Sequence, residues 1–235
     1  MILYVNGDSH TAGAEAVNPY AFAEDDSRYF YMGRVAHPDN LAVSWGRLLS
    51  LSLRSGFHCA AESASSNARI VRTTREWLAN RASNNDVLVI IQWSTWEREE
   101  WLINGVYYQI NASGVDQVPD SYQQQYKEYI ANIDWQQRTE QAHKEIWEFH
   151  QELQNQNIQH IFFNGNNEFS KVPEIDQNAW DHNYIAPYDP TMTFDAIARK
   201  QQFETVSANS WHFGQDAHSF FHRFMLKYII DNNFI

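Results

Sequence analysis

Short apolar runs alternate along this chain with segments in which apolar residues recur at helical spacing. Four runs predict buried strands, over residues 2–5, 56–61, 86–93 and 159–164. The third contains an uninterrupted apolar stretch from Val87 to Ile91, which is typical of a central parallel strand covered on both faces. The pattern therefore predicts a sheet whose strands are joined by crossover segments.

The intervening segments carry apolar residues three or four positions apart, as amphipathic helices do. The helical sets are Leu41, Trp45, Leu48 and Leu49, then Ile70, Val71, Thr74, Trp77 and Leu78, and finally Phe221, Phe224, Met225, Tyr228 and Ile229. A pattern over residues 121–155 predicts one long or broken helix, and the closing helix is expected to begin near His218. Strands alternating with helices favour a single α/β domain over residues 1–235, with a parallel sheet, helices on both faces and right-handed crossovers.

Three segments do not fit this alternation and are interpreted as insertions, over residues 11–37, 103–119 and 166–209. The first mixes aromatic with acidic residues, and the third has little periodicity and is predicted to be irregular. The second contains Asn104-Gly105, a pair that predicts a β-hairpin. Long loops in a compact domain usually form lids or binding surfaces.

Charge and cysteine content narrow the function classes. The 17 basic and 29 acidic side chains give a net charge of −12, which repels phosphate backbones and anionic membranes, so nucleic-acid binding is not expected. Cys59 is the only cysteine, which excludes an intrachain disulfide and a thiolate metal cluster. No signal peptide and no membrane-spanning run are visible, so we expect a soluble, cytoplasmic protein. Nothing in the pattern indicates an oligomeric state.

The first predicted strand leads directly into Asn6-Gly7-Asp8-Ser9-His10, a turn with a serine at its tip. Open α/β sheets bind ligands beyond the carboxyl ends of their strands, and Gly7 leaves the turn uncrowded. Ser9 is therefore a candidate nucleophile, although a serine after a strand also serves as a helix N-cap.

A serine nucleophile needs a base that accepts its proton and a group that orients the base. Asp216 and His218 lie together at the start of the closing helix and are the first candidates for these roles. His212 and His222 are the alternative bases. Asp216 is alternatively only an N-cap of the closing helix.

Four blocks, in this order, resemble those of the SGNH (GDSL-like) hydrolases over nearly the whole chain. They are Gly7-Asp8-Ser9-His10, Ser65-Ser66-Asn67, Gln92-Trp93-Ser94-Thr95 and Asp216-Ala217-His218. The resemblance implies a three-layer α/β/α, flavodoxin-like fold and a serine esterase that works without a cofactor or a metal. The chain departs from the family where Ser66 replaces a glycine, where Ser94 and Thr95 replace an asparagine, and where only one residue separates Asp216 from His218.

The resemblance also implies acyl transfer through a covalent intermediate on Ser9, with His218 as base and Asp216 orienting the imidazole. The implied oxyanion donors are the backbone N–H groups of Ser9 and Ser66 and the hydroxyl of Thr95 or Ser94. A helix that starts at Ser66 would favour the developing negative charge. Asn67, Trp93 and Trp96 are candidate substrate-binding residues. The expected substrate is a small-molecule or glycan ester, and the expected reaction removes an acetyl group from, or adds an acyl group to, a carbohydrate or another polar compound.

Two other functions remain open at this point. The altered second and third blocks are compatible with a binding or structural module that has lost catalysis, since fold does not guarantee function. Asp8-Ser9-His10 and Gly165-Asn166-Asn167-Glu168 also resemble two blocks of the metallophosphoesterases. That family needs further metal-binding blocks, which the sequence lacks.

Overall fold

A computed structural model describes residues 1–20, 36–112 and 118–235 of the chain. The predicted insertions over residues 11–37 and 103–119 therefore lie partly outside the described residues. The strands are β1 (Ile2–Asn6), β2 (Gly56–Cys59), β3 (Val87–Trp93), β4 (Glu99–Ile103), β5 (Val106–Ile110) and β6 (Gln159–Asn164). The four strands predicted from the apolar runs are thus confirmed, with small differences at their ends.

The described helices follow the predicted alternation. They are α1 (Ser9–Ala12), α2 (Pro38–Val43), α3 (Trp45–Ser52), α4 (Asn67–Ala79), α5 (Gln123–Ala131), α6 (Trp135–Asn155), α7 (Phe194–Lys200) and α8 (Gln215–Asp231). The pattern over residues 121–155 is a broken helix, divided between α5 and α6. The closing helix α8 starts three residues before His218, because Gly214 is its N-cap.

The main sheet is parallel, with the order β2-β1-β3-β6 among the described strands. When only the strands of this sheet are numbered in chain order, β6 is the fourth. The order 2-1-3-4 then matches the first four positions of the flavodoxin-like order 2-1-3-4-5. Tyr184 adds an isolated parallel bridge to Phe162 on the outer side of β6. The predicted α/β fold with a parallel central sheet is confirmed.

Helices cover both faces of this sheet, because successive strand residues point to opposite sides. On one face Leu3 and Val5 of β1 belong to a core that includes residues of α3, α7 and α8. On the other face Tyr4 belongs to a core that includes residues of α4 and α6. All seven residues of β3 are buried, as the continuous apolar run predicts.

Two of the predicted insertions contain regular structure. β4 and β5 form an antiparallel hairpin around Asn104-Gly105, as that pair predicts. Residues 166–209 are less irregular than predicted, since they contain α7, capped by the Thr193 hydroxyl, and Phe194 packs fully into the core. Within the described part of the chain, no helix combines the length and the apolar character needed to cross a bilayer.

Candidate active site

The turn after β1 lies at the edge of the sheet between β1 and β3, where the strand order reverses. Gly7 lets the backbone of this turn approach Thr11 and Gln92 closely. A Cβ at this position would lie 2.6 Å from the Thr11 hydroxyl and 2.9 Å from Cβ of Gln92. Sheets of this topology bind ligands in the crevice at such a reversal. The turn thus brings Asp8 and Ser9 to the edge of the sheet where a ligand is expected.

Asp8 is the centre of a buried polar network at this edge. Its Oδ1 accepts hydrogen bonds from Gln92 Nε2 at 2.6 Å and from the backbone N–H of His10 at 3.0 Å. Its Oδ2 accepts from Ser94 Oγ at 3.2 Å and from Arg98 Nη1 at 3.1 Å. Burial alone would raise the pKa of Asp8, but His10, Arg98 and the Gln92 amide hold the pKa below its ordinary value. The Asp8 carboxylate therefore stays ionised and fixes the start of α1.

Sequence reasoning missed Gln92 and Arg98 as parts of this network. Gln92 also accepts the Thr11 hydroxyl at 2.7 Å, so its amide ties β3 to the β1 turn at two points. A Cβ on Gly165 would collide with this amide, which explains a glycine directly after β6. A polar residue at the end of an apolar strand was the available signal for Gln92. Arg98 follows β3 in a loop, where spacing carries no comparable signal.

Ser9 is the first residue of α1, and its side chain faces a cavity at the sheet edge. Asp8 is the N-cap of this short helix, so the alternative role of Ser9 as the cap does not apply. Ser9 is 7% exposed, and its hydroxyl makes no hydrogen bond within the described residues. A buried but uncommitted hydroxyl is free to contact a ligand in the cavity.

Glu15 and His212 form a carboxylate–imidazole pair beside the same cavity. Glu15 Oε2 lies 2.6 Å from His212 Nδ1 and accepts a hydrogen bond from Ser210 Oγ at 2.5 Å. Burial would raise the pKa of Glu15, but these two hydrogen bonds bring it below its ordinary value. Glu15 also has a left-handed backbone, with φ of 62°. Such a conformation costs a non-glycine residue about 1–2 kcal/mol.

His218 and Asp216 are not brought together. His218 is 1% exposed, its Nδ1 accepts the Trp45 backbone N–H at 3.4 Å, and its ring packs against Phe194. Desolvation, with smaller contributions from His10 and His212, lowers the pKa of His218 to about 3. Asp216 is exposed in the first turn of α8.

His218 lies in the core and His212 at the cavity because of where α8 begins. Because the helix begins at Gln215, His218 falls in its first turn and on the face that packs against the sheet. His212 precedes the helix and borders the cavity. His222, the other alternative base, lies one turn beyond His218 along α8 and does not border this cavity.

Three of the four predicted oxyanion donors are engaged within the protein. The Ser66 backbone N–H donates to Gln109 Oε1 at 2.8 Å, and Ser94 Oγ donates to Asp8. Thr95 borders the cavity, but its hydroxyl donates to Glu97 at 2.7 Å. Ser66 is the N-cap of α4, as predicted, and Ser9 retains its place at the cavity.

The three candidate substrate-binding residues lie away from the cavity wall. Asn67 is 5% exposed, and its amide makes two hydrogen bonds to the backbone of Ser94. Trp93 is 1% exposed in the core, with edge-on contacts to Phe149 and Phe162. Trp96 packs against Phe169 and borders a separate, smaller cavity. These tryptophans belong to the packing of the fold.

The cavity that Ser9 and His212 share has a volume of about 970 Å³. Its lining comprises Ser9, His10, Ser63, Ala64, Thr95, Glu97, Arg98, Asn111, Ala112, Asn166, Asn167, Asp195, Arg199, Trp211 and His212. Most of these residues carry polar side chains, and among them are two arginines and two acidic residues. Trp211 is 76% exposed, unlike the tryptophans of the core. No group of three or more potential metal ligands converges in the described part of the chain.

Several solved structures resemble this fold at low sequence identity. A member of the lipolytic protein G-D-S-L family from Veillonella parvula DSM 2008 is 14% identical, with 98% of this chain and 97% of that chain covered and a TM-score of 0.42. The psychrotrophic esterase EstA from Pseudoalteromonas sp. is 13% identical, with coverages of 98% and 97% and a TM-score of 0.43. A carbohydrate esterase family 2 enzyme from Corynascus thermopiles is 15% identical, with coverages of 100% and 67% and a TM-score of 0.46.

Sequence comparison places the chain in a family without an assigned activity. No curated protein sequence shows a significant match. Residues 35–167, more than half of the chain, match the sequence profile of DUF6071, described as a family of unknown function. The chain belongs to the DUF6071 family of unknown function.

Proposed function

We propose that this protein is a serine hydrolase of ester bonds in which Ser9 is the nucleophile, His212 the base and Glu15 the group that orients the base. The observation that carries the proposal is the 2.6 Å contact between Glu15 and His212 Nδ1 at the wall of the cavity that Ser9 lines. This assignment replaces His218 and Asp216, whose positions do not support the same roles.

The contact between Glu15 and His212 supports a definite tautomer. Since a carboxylate only accepts hydrogen bonds, the contact favours the neutral tautomer of His212 with the proton on Nδ1 and the lone pair on Nε2. Nε2 is then the atom available to accept a proton from Ser9. The negative charge of Glu15 stabilises the imidazolium that forms, as a carboxylate does in serine hydrolase triads.

The reaction follows from these roles. The Ser9 Oγ attacks the ester carbonyl carbon while its proton passes to His212 Nε2, and the carbonyl π electrons move onto the oxygen. Collapse of this intermediate expels the alcohol, which takes the proton from His212 and leaves an acyl group on Ser9. Water then attacks the acyl-serine with His212 again as base, which releases the acid and restores the Ser9 hydroxyl.

The cavity wall supports a polar substrate. Asn166 and Asn167 border the cavity with amide groups, and most of the lining residues are polar, whereas a site for long acyl chains is lined mainly by apolar side chains. Trp211 presents an exposed ring at the same cavity, suited to stacking on the apolar face of a sugar. We therefore propose that the substrate is a short acyl ester of a carbohydrate or another polar alcohol.

Replacing Trp211 with alanine is expected to raise KM for an acetylated sugar by about 5- to 30-fold, the equivalent of losing one aromatic contact of roughly 1–2 kcal/mol. Turnover of a small synthetic acetate ester should change little, since that substrate has no sugar ring to stack on Trp211. Steady-state kinetics with both substrates measure the difference. An equal effect on the two esters would contradict stacking on a sugar.

Hydrolysis assays with the purified wild-type protein test the proposal. Short-chain acyl esters and acetylated sugars should be hydrolysed above background, and a chelator should leave the rate unchanged because the reaction uses no metal. The absence of turnover on the whole panel would favour a non-catalytic binding module. Activity that a chelator removes would instead favour the metallophosphoesterase-like alternative.

A further inference from the structure

The oxyanion in the proposed reaction lacks the side-chain donor that the sequence suggested. Ser94 Oγ donates to Asp8, Thr95 Oγ1 donates to Glu97, and the Ser66 backbone N–H donates to Gln109. Of the predicted set, the Ser9 backbone N–H is the donor left at the cavity. One N–H is a weak oxyanion hole, because losing a single donor from such a site typically costs about 10²- to 10³-fold in rate.

Arg98 supplies donors at this place. It borders the same cavity as Ser9, and its side chain is 19% exposed. Nη1 is held at 3.1 Å from Asp8 Oδ2 and at 2.7 Å from Ser94 Oγ. Among the described residues, Nε and Nη2 have no acceptor. The guanidinium is thus anchored to the residue that directly precedes Ser9, and Ser9 and Arg98 line the same cavity.

We propose that Arg98 is a catalytic residue whose free guanidinium N–H groups donate to the oxyanion formed when Ser9 attacks an ester. This inference rests on the proposed function. The anchoring of Nη1 by Asp8 and Ser94 fixes the orientation of the fork before substrate arrives, which is the requirement for electrostatic stabilisation of a transition state. A guanidinium group is positively charged and accepts no hydrogen bond, so it favours a negatively charged oxygen over a neutral one.

The same arginine also neutralises the buried Asp8, and the test must separate this structural role from catalysis. Arg98→Met keeps most of the aliphatic stem but leaves the Asp8 carboxylate without a counter-ion. The double variant Asp8→Asn/Arg98→Met removes both charges, while the asparagine oxygen can still accept the His10 N–H as an N-cap. A purely structural arginine therefore predicts recovery in the double variant, whereas a catalytic arginine does not.

Steady-state kinetics on a short acyl ester provide the readout, with thermal melting as the control for folding. Arg98→Met is expected to lower kcat by about 10²- to 10³-fold with KM within about threefold of wild type, and the double variant is expected to stay equally slow. Arg98→Met activity close to that of wild type, or recovery in the double variant, would overturn the inference. If either of these two results is obtained while the wild-type protein still hydrolyses esters through Ser9, the proposed function stands and only the role of Arg98 is rejected.

Discussion

Replacing His212 with alanine is expected to lower kcat for ester hydrolysis by about 10³-fold or more, because loss of the base in a serine hydrolase removes nearly all nucleophilic catalysis. Ser9→Ala should cause a loss of the same order, and the double variant should be little slower than either single variant, since the two residues act as one unit. Glu15→Gln should cost roughly 10²- to 10⁴-fold, since an amide neither stabilises the imidazolium nor enforces the tautomer.

His218→Asn is the matched control for this result. Its amide oxygen can accept the Trp45 backbone N–H that His218 Nδ1 now accepts. The variant is expected to lower the free energy of unfolding, whereas its kcat should stay close to that of the wild type. Single-turnover and steady-state kinetics, with circular dichroism for the fold, distinguish the two histidines. A large loss of kcat in folded His218→Asn, with activity retained in His212→Ala, would return the catalytic role to His218.

Acidification is expected to destabilise the protein from about pH 6.5 downward, before ordinary carboxylates titrate. Desolvation by burial lowers the pKa of His143, His150 and His160 to about 4. Burial, in part offset by Asp8, lowers the pKa of His10 to about 4 as well. Unfolding returns these histidines to a pKa near 6.5, so between about pH 6.5 and 4 the unfolded chain binds more protons than the folded protein. Stability therefore falls as pH falls, by up to about 1.4 kcal/mol per pH unit for each histidine.

The hydrogen bonds explain why these rings stay neutral. His160 Nδ1 lies 2.8 Å from the Ile158 carbonyl and so carries its proton, which makes His160 Nε2 the acceptor for His150 Nδ1 at 2.8 Å. A second proton on His160 would face the His150 donor. His143 is likewise enclosed by aromatic rings, with the Tyr188 hydroxyl 2.8 Å from Nε2.

Urea unfolding at several pH values between 4.5 and 7.5 measures this dependence. His143→Phe keeps an aromatic ring in the same packing but removes one titrating group, and should reduce the slope of unfolding free energy against pH by about one proton. Phenylalanine also has a larger, six-membered ring and removes the contact with the Tyr188 hydroxyl. The comparison therefore uses the slope of the unfolding free energy against pH and not its absolute value. An unchanged slope would show that His143 takes up protons over the same pH range in the folded and the unfolded chain, which would contradict the account.

The sheet was predictable because its strands are short apolar runs with separate turn signals. The continuous apolar stretch from Val87 to Ile91 predicts a strand that is buried on both faces. Asn104-Gly105 predicts the hairpin because this pair favours the tight turn that joins its strands. α7 was missed because its apolar contacts involve few residues in a polar segment. Its burial depends on tertiary packing against α8 and the sheet, which leaves no long periodic pattern.

The candidate site was only partly predictable. Ser9 follows from a strand that ends in a tight turn, which is a local feature of the sequence. Glu15 and His212 are 197 residues apart, and their contact exists only after the strand order brings α1 near the start of α8. His218 was predicted to be the base because Asp216 precedes it by two residues. A three-residue error in the start of α8 was enough to turn that histidine from the cavity wall into the core.

The most direct test of the central claim is to identify the residue that an activated alkyl phosphonate modifies. Such a reagent reacts with a serine nucleophile and leaves a stable phosphonyl group that peptide mass spectrometry can locate. The account predicts a single modification on Ser9, absent in Ser9→Ala, strongly slowed in His212→Ala and retained in His218→Asn. Modification at another residue, or none in a protein that hydrolyses esters, would contradict it.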